Sequence, residues 1–292
     1  MTPNEQQAVV PSWQAKYRKI AVLGSGGVGR TMKVEDINSG RVCCLKELLP
    51  TIDWRPLQQE CRALARLTHP NVVRLLDFDT HAIPAYLVTE YIEGATLSEQ
   101  LHKQGAMSEK EVVGIAQSLV EAVAYLHTQD VIHRDLKPQN IMLRGTRGID
   151  PVIIDFGLAI IDFLDQNENL TAEGCCMGTP SYMAPEQAAG ELLSTACDVY
   201  QLGQIMWEIL AGQLAFTGRS VQAIMSRKVT SPQLELPNRV KVSKRMKLLV
   251  RRCTDATPKR RPTPDQMLET LGAIRDTLTQ NGGRRGWWQF WK

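Results

Sequence analysis

Between Val131 and Leu143 the chain reads VIHRDLKPQNIML, and this stretch restricts the fold more than any other. Ile132 and Ile141 call for burial, yet His133, Arg134, Asp135, Lys137, Gln139 and Asn140 stand between them. Burying a polar group without a partner costs roughly 2–7 kcal/mol. So dense a polar loop at the edge of a core therefore needs partners elsewhere in the chain or in a ligand.

The chemistry of those residues suggests what the ligand is. Asp135 and Asn140 stand five positions apart, and Asp155 follows the apolar run of VIIDFG. Carboxylate and amide oxygens are the hard donors that Mg²⁺ takes, usually with water and substrate phosphates completing its shell. Asn140 and Asp155 suit the metal, while Asp135 is placed to accept a proton from an attacking hydroxyl. Lys137, two residues on, can offset charge developing on a γ-phosphate.

Other elements fit the same reading. LGSGGVG sets Gly24, Gly26 and Gly29 in a G-x-G-x-x-G pattern, whose backbone N–H groups can approach phosphate oxygens. A dinucleotide fold would follow it with a helix and, about 20 residues on, an acid. Here RTMKVEDI reads as a strand, so a strand–turn–strand flap is expected. Lys46 ends the next apolar strand. Glu60 shares a helical face with Leu64, and an inward carboxylate demands a cation, for which Lys46 is the expected partner.

Strand-like segments and glycine turns run from Tyr17 to Glu47. A helix follows with Leu57, Cys61, Leu64 and Leu67 at three- and four-residue spacing, then HPNVVRLLDF and AYLVTEYIEG as strands, then mostly helices. An α+β fold of two lobes is expected.

These motifs, in this order, resemble the eukaryotic-type (Hanks-type) Ser/Thr protein kinases, especially their bacterial members. The match runs from about Tyr17 to Leu271: the glycine loop, Lys46 in CCLK, Glu60 in QQECRALARLTHPNVV, HRDLKPQN, DFG at Asp155–Gly157, GTPSYMAPE ending at Glu186, DVYQLG from Asp198, and KRRPT with Arg261. The resemblance implies the two-lobed kinase fold, with an antiparallel-sheet N-lobe and αC helix at about 17–92 and a mainly helical C-lobe at about 93–275. Residues 1–16 would be an extension and 276–292 a basic, Trp-rich tail. It implies transfer of the γ-phosphoryl group of Mg-ATP, or Mn-ATP, to protein serine or threonine hydroxyls, with Asp135, Lys137, Lys46 and Glu60 catalytic and Asn140 and Asp155 on metal. The nucleotide would be held by Leu23, Gly24, Ser25, Gly26, Gly27, Val28, Gly29, Thr31, Cys44 and Lys46, the hinge backbones of Glu90 and Ile92, and Leu143. Thr89 would guard the back of the pocket, and Arg261 would pair with Glu186. Arg134 beside Asp135 suits an activating phosphate, for which Thr171 is the candidate.

Departures from the pattern are few. Thr31 and Cys44 stand where valine and alanine are usual, and TIDWRP shortens and stiffens the link to the αC helix. A nucleotide-binding pseudokinase scaffold remains an alternative, as does a small-molecule kinase. Cys175–Cys176 fit small apolar fillers or a redox pair. The end GGRRGWWQFWK, with Arg284, Arg285, Trp287, Trp288, Trp291 and Lys292, suits weak contact with a membrane surface, docking on the C-lobe or on a partner, or a loose end. With 43% hydrophobic and 22% charged residues, disorder is excluded for most of the chain, and a net charge of +3 is too mild to suggest nucleic acid. Seven cysteines without CxxC spacing suggest neither disulfides nor zinc, and no leader or membrane-spanning run is visible, so a cytoplasmic protein is expected.

Overall fold

Period-two alternation builds the first part of the chain. Met32 and Val34, Cys43 and Leu45, and Tyr86 and Val88 are buried together with Trp13 and Tyr17, while the residues between them are turned to the other face. The computed structural model describes residues 11–26, 29–51, 53–145, 149–155, 180–218, 220–231 and 233–282. These fall into two units, the first comprising residues up to Thr68 plus Val73–Tyr91, the second His69–Val72 and everything described from Ile92 onward.

In the first unit β1 (Tyr17–Gly26), β2 (Gly29–Asp36), β3 (Val42–Leu48), β4 (Leu75–Asp79) and β5 (Tyr86–Glu90) form an antiparallel sheet ordered β1-β2-β3-β5-β4. Trp13, assigned by sequence to an extension, belongs to this core and donates its indole N–H to Glu47 at 2.8 Å. The helix α1 (Gln58–Leu64) is shorter than the apolar spacing suggests, being preceded by a 3-10 turn at Arg55–Leu57 and ending before Leu67. All four spaced residues are nevertheless buried, as is Trp54, which donates to the Leu49 carbonyl at 2.8 Å.

The second unit carries a small sheet, β6 (Gly94–Thr96), β7 (Ile141–Arg144) and β8 (Asp150–Ile153), and the helices α2 (Leu97–Gln104), α3 (Glu109–Thr128), α4 (Pro185–Ala188), α5 (Ala196–Ala211), α6 (Val221–Thr230), α7 (Lys244–Cys253) and α8 (Pro264–Gly282). Capping boxes start two of them: Thr96 with Glu99 for α2, and Ser108 with Glu111 for α3. Helix α5 is buried nearly all round. Gly203 permits this, because a Cβ there would stand 2.6 Å from Cys253 Cβ on α7. The last helix runs to Gly282, beyond the expected boundary at 275. Among the described residues no helix is long and apolar enough to cross a membrane.

Candidate active site

The loop that opened the question is held from within the second unit. The buried Asp198 carboxylate on α5 accepts the backbone N–H of His133 at 2.9 Å and of Arg134 at 2.8 Å, and meets His127 Nε2 at 2.9 Å. Burial raises the Asp198 pKa, but the bond to His127, the nearby histidines and the backbone donor outweigh it, so the carboxyl stays below its ordinary value. The His133 ring is fully buried, which lowers its pKa against the pull of Asp198, Asp135 and Asp155. The ring thus lies within electrostatic reach of three acids.

Beyond this anchor the chemistry-bearing residues converge. Asp135 Oδ2 accepts from Lys137 Nζ at 2.7 Å and from Asn140 Nδ2 at 3.0 Å. Asn140 Nδ2 also donates to the Asp135 carbonyl at 2.9 Å. With its amide nitrogen so committed, Asn140 has its Oδ1 left to offer a cation. The Ile154 N–H donates to the Asn140 carbonyl at 3.0 Å, at the end of the β7–β8 ladder where Ile141 pairs with Ile153. That ladder delivers Asp155 beside the loop. An amide oxygen and a carboxylate fit Mg²⁺, which commonly takes one or two protein oxygens and fills its shell with water and phosphates. Among the described residues no cluster of three or more His, Cys, Asp or Glu that could hold a metal occurs. Leu143 is buried on the same ladder, and Ile92 is buried in this unit.

In the first unit, Thr31, Lys46 and Leu87 lie side by side across β2, β3 and β5, as do Lys33, Cys44 and Thr89. All six are half-buried, on the face opposite the closed core. Leu23 on β1 is half-exposed, and the Glu90 N–H is committed to the Arg74 carbonyl at 3.1 Å, which leaves only its carbonyl for a base. The three glycines separate into two kinds. A Cβ at Gly29 would stand 2.0 Å from the Glu47 carbonyl oxygen, so the sheet itself demands glycine there. At Gly24 and Gly26 a Cβ would meet nothing within 4 Å. The sheet therefore sets no steric bar to a side chain at those two positions. Ser25 pairs with Arg30 between them, while Gly27 and Val28 lie outside the described residues.

One expectation is not met. Glu60 makes no pair with Lys46, and its Oε2 is buried without a hydrogen-bond partner. Burial of Leu57, Cys61 and Leu64 sets the rotation of α1 and leaves Glu60 at the margin of the apolar stripe. Phe156, Gly157, Thr171, Cys175, Cys176, Thr179 and residues 283–292 of the Trp-rich tail lie outside the described residues.

A second anchored segment follows at Ser181–Met183. Gln204 Nε2 donates to the Ser181 carbonyl at 2.9 Å, the Tyr182 hydroxyl donates to Glu208, and Lys228 Nζ donates to the Met183 carbonyl at 2.8 Å. Just beyond, Arg261 and Glu186 form the expected ion pair, fully buried and bidentate. The sequence announced Arg261 and Asp198 by motif, but nothing in SRKVT signals that Lys228 is buried.

Comparison with known proteins agrees with this architecture. The family model described as the protein kinase domain matches residues 17–271, most of the chain. Serine/threonine-protein kinase pkn3 of Myxococcus xanthus is 34% identical over 274 residues, which is 89% of this chain and 50% of that protein. Serine/threonine-protein kinase PrkC of Bacillus subtilis is 32% identical over 216 residues, 72% of this chain and 32% of that protein. The chain thus spans half or less of the length of these relatives. A crystal structure of Rad53 1-466 in complex with AMP-PNP superposes with a TM-score of 0.74 at 26% identity, covering 87% of this chain and 64% of that one. The chain belongs to the protein kinase family and has the protein kinase fold.

Proposed function

We propose that the chain is a Ser/Thr protein kinase acting on Mg-ATP and protein hydroxyls. The observation that carries this is the hydrogen-bonded group of Asp135, Lys137 and Asn140 beside Asp155. In this reading Asp135 orients the acceptor hydroxyl and takes its proton, a contribution of about 10²–10⁴-fold for a positioned base. Lys137, already on Asp135, offsets charge on the transferring group. Asn140 Oδ1 and Asp155 hold Mg²⁺, which when bound neutralises phosphate charge. The backbone at Gly24 and Gly26 and the Lys46 amine take the phosphates, and the face with Thr31 and Cys44 takes the base. Ser181–Met183 supports the peptide. Pairing of Glu60 with a phosphate-bound Lys46 would satisfy an oxygen whose isolation costs about 1–3 kcal/mol.

An ADP-release assay on wild type and Asp135→Ala, with a generic basic protein as acceptor, tests this. Acceptor-dependent release by wild type alone is expected, with nucleotide still producing a thermal shift in both. Nucleotide binding without acceptor-dependent release would instead mark a scaffold.

A further inference from the structure

One side chain closes the backbone on both sides of Asp135. Gln201, buried on α5, accepts the Leu136 N–H on Oε1 at 2.8 Å and donates from Nε2 to the Arg134 carbonyl at 2.6 Å. Nε2 also reaches Gln187 Oε1 at 3.1 Å. Gln187 in turn donates to the same Arg134 carbonyl at 2.9 Å and accepts the Ala184 N–H at 3.2 Å. The residue so gripped is strained: Arg134 has φ +67°, left-handed for a bulky side chain. Such conformations persist only where the surroundings over-determine them. Asp198 holds the Arg134 N–H, and the two glutamines hold the carbonyl and the next N–H but one. A primary amide offers a donor and an acceptor side by side in a fixed plane without having to change its protonation state.

We propose that Gln201 is a positioning residue for Asp135, its amide, backed by Gln187, holding the strained turn that aims the carboxylate at the acceptor hydroxyl. The inference rests on the kinase reading above and extends it to a residue that touches neither nucleotide nor metal in that reading.

Two replacements separate this role from simple packing. Gln201→Met keeps length and loses both hydrogen-bonding functions. Since misplacing a catalytic group by about 1 Å can cost about 10²-fold, kcat should fall by roughly 10- to 100-fold, with the affinity for Mg-ADP within about twofold of wild type. Gln201→Glu has a pH signature. As a carboxylate it accepts from Leu136 but confronts the Arg134 carbonyl and Gln187 Oε1 with lone pairs; protonated, it regains a donor. Its kcat relative to wild type should therefore rise as the pH falls from 8 to 6, while the Gln201→Met ratio stays flat. His127, His133, Asp135, Asp198 and the Glu186–Arg261 pair surround the clamp in all three proteins, so the ratio to wild type removes their titration. Wild-type-like kcat in folded Gln201→Met, or a Gln201→Glu ratio as flat as that of methionine, overturns the clamp alone. Wild type that transfers no phosphoryl group overturns the kinase reading, and the clamp's catalytic role with it. Should Gln201→Met not fold, the slope for Gln201→Glu decides.

Discussion

Removing Arg261 should be among the most damaging single changes in the second unit. Its guanidinium has five N–H donors, and all five are used. Two meet the Glu186 carboxylate, Nε meets the Asp255 carbonyl at 2.8 Å, and the others meet the carbonyls of Ala196 at 2.9 Å and Ala256 at 3.3 Å. The group also lies 4.9 Å from the Tyr200 ring centroid. Arg261→Met strands a buried carboxylate and three carbonyls. Breaking a buried ion pair from one side costs about 3–5 kcal/mol, and the carbonyls place Arg261→Met at the upper end. Glu186→Gln leaves the carbonyl bonds intact and should cost about half as much. At about 2–4 °C per kcal/mol for a large domain, Arg261→Met should lower the melting temperature by roughly 10–15 °C. Urea unfolding followed by circular dichroism gives the free energies for both single variants and for Arg261→Met/Glu186→Gln. The double variant should be more stable than Arg261→Met, because the stranded carboxylate is gone. A loss below about 1 kcal/mol for Arg261→Met, or strict additivity in the cycle, would refute the reasoning.

Two further predictions concern groups with unusual surroundings. Lys228 is fully buried, with its amine on the Met183 carbonyl, on Gln204 Oε1 at 3.3 Å and 4.4 Å from the Phe216 ring centroid, and burial brings its pKa from 10.5 to about 6. Between those values the unfolded chain holds a proton that the folded chain does not, so this group's contribution to stability grows as the pH rises, by at most about 1.4 kcal/mol per unit. Wild type should gain about 2 kcal/mol over Lys228→Met between pH 6.5 and 8.5 in urea titrations; a constant difference would contradict the depressed pKa. Glu60→Gln should leave the melting temperature of nucleotide-free protein unchanged or slightly raised, since no partner is lost, yet weaken Mg-ATP-dependent thermal stabilisation. A marked loss of stability without nucleotide would show that Glu60 is already paired.

What could be read from the chain depended on whether the signal was local. The buried pairs Met32/Val34 and Cys43/Leu45 announce half-buried strands by alternation alone, and Asp135, Asn140 and Asp155 announce a site because polar groups at the edge of apolar runs need a reason. Trp13 was hidden, because its partner Glu47 lies 34 residues away and no periodicity links them. Gly29 looked like its two neighbours in the motif, although β3 rather than a phosphate forbids a side chain there. No local signal marks Gln201 and Lys228 as buried, since only the packing of α5 and α6 in three dimensions turns them inward. Helix α1 stopped short of its apolar spacing because Leu67 is buried from a turn, not from a helical face.

The central claim is that Asp135 drives phosphoryl transfer to serine or threonine, and phosphoamino-acid analysis after incubation with γ-labelled Mg-ATP tests it most directly. Wild type should yield labelled phosphoserine or phosphothreonine, and Asp135→Asn at least about 100-fold less, with Mg-ATP affinity retained. Equal labelling by both proteins, or none by a wild type that binds Mg-ATP, would contradict it.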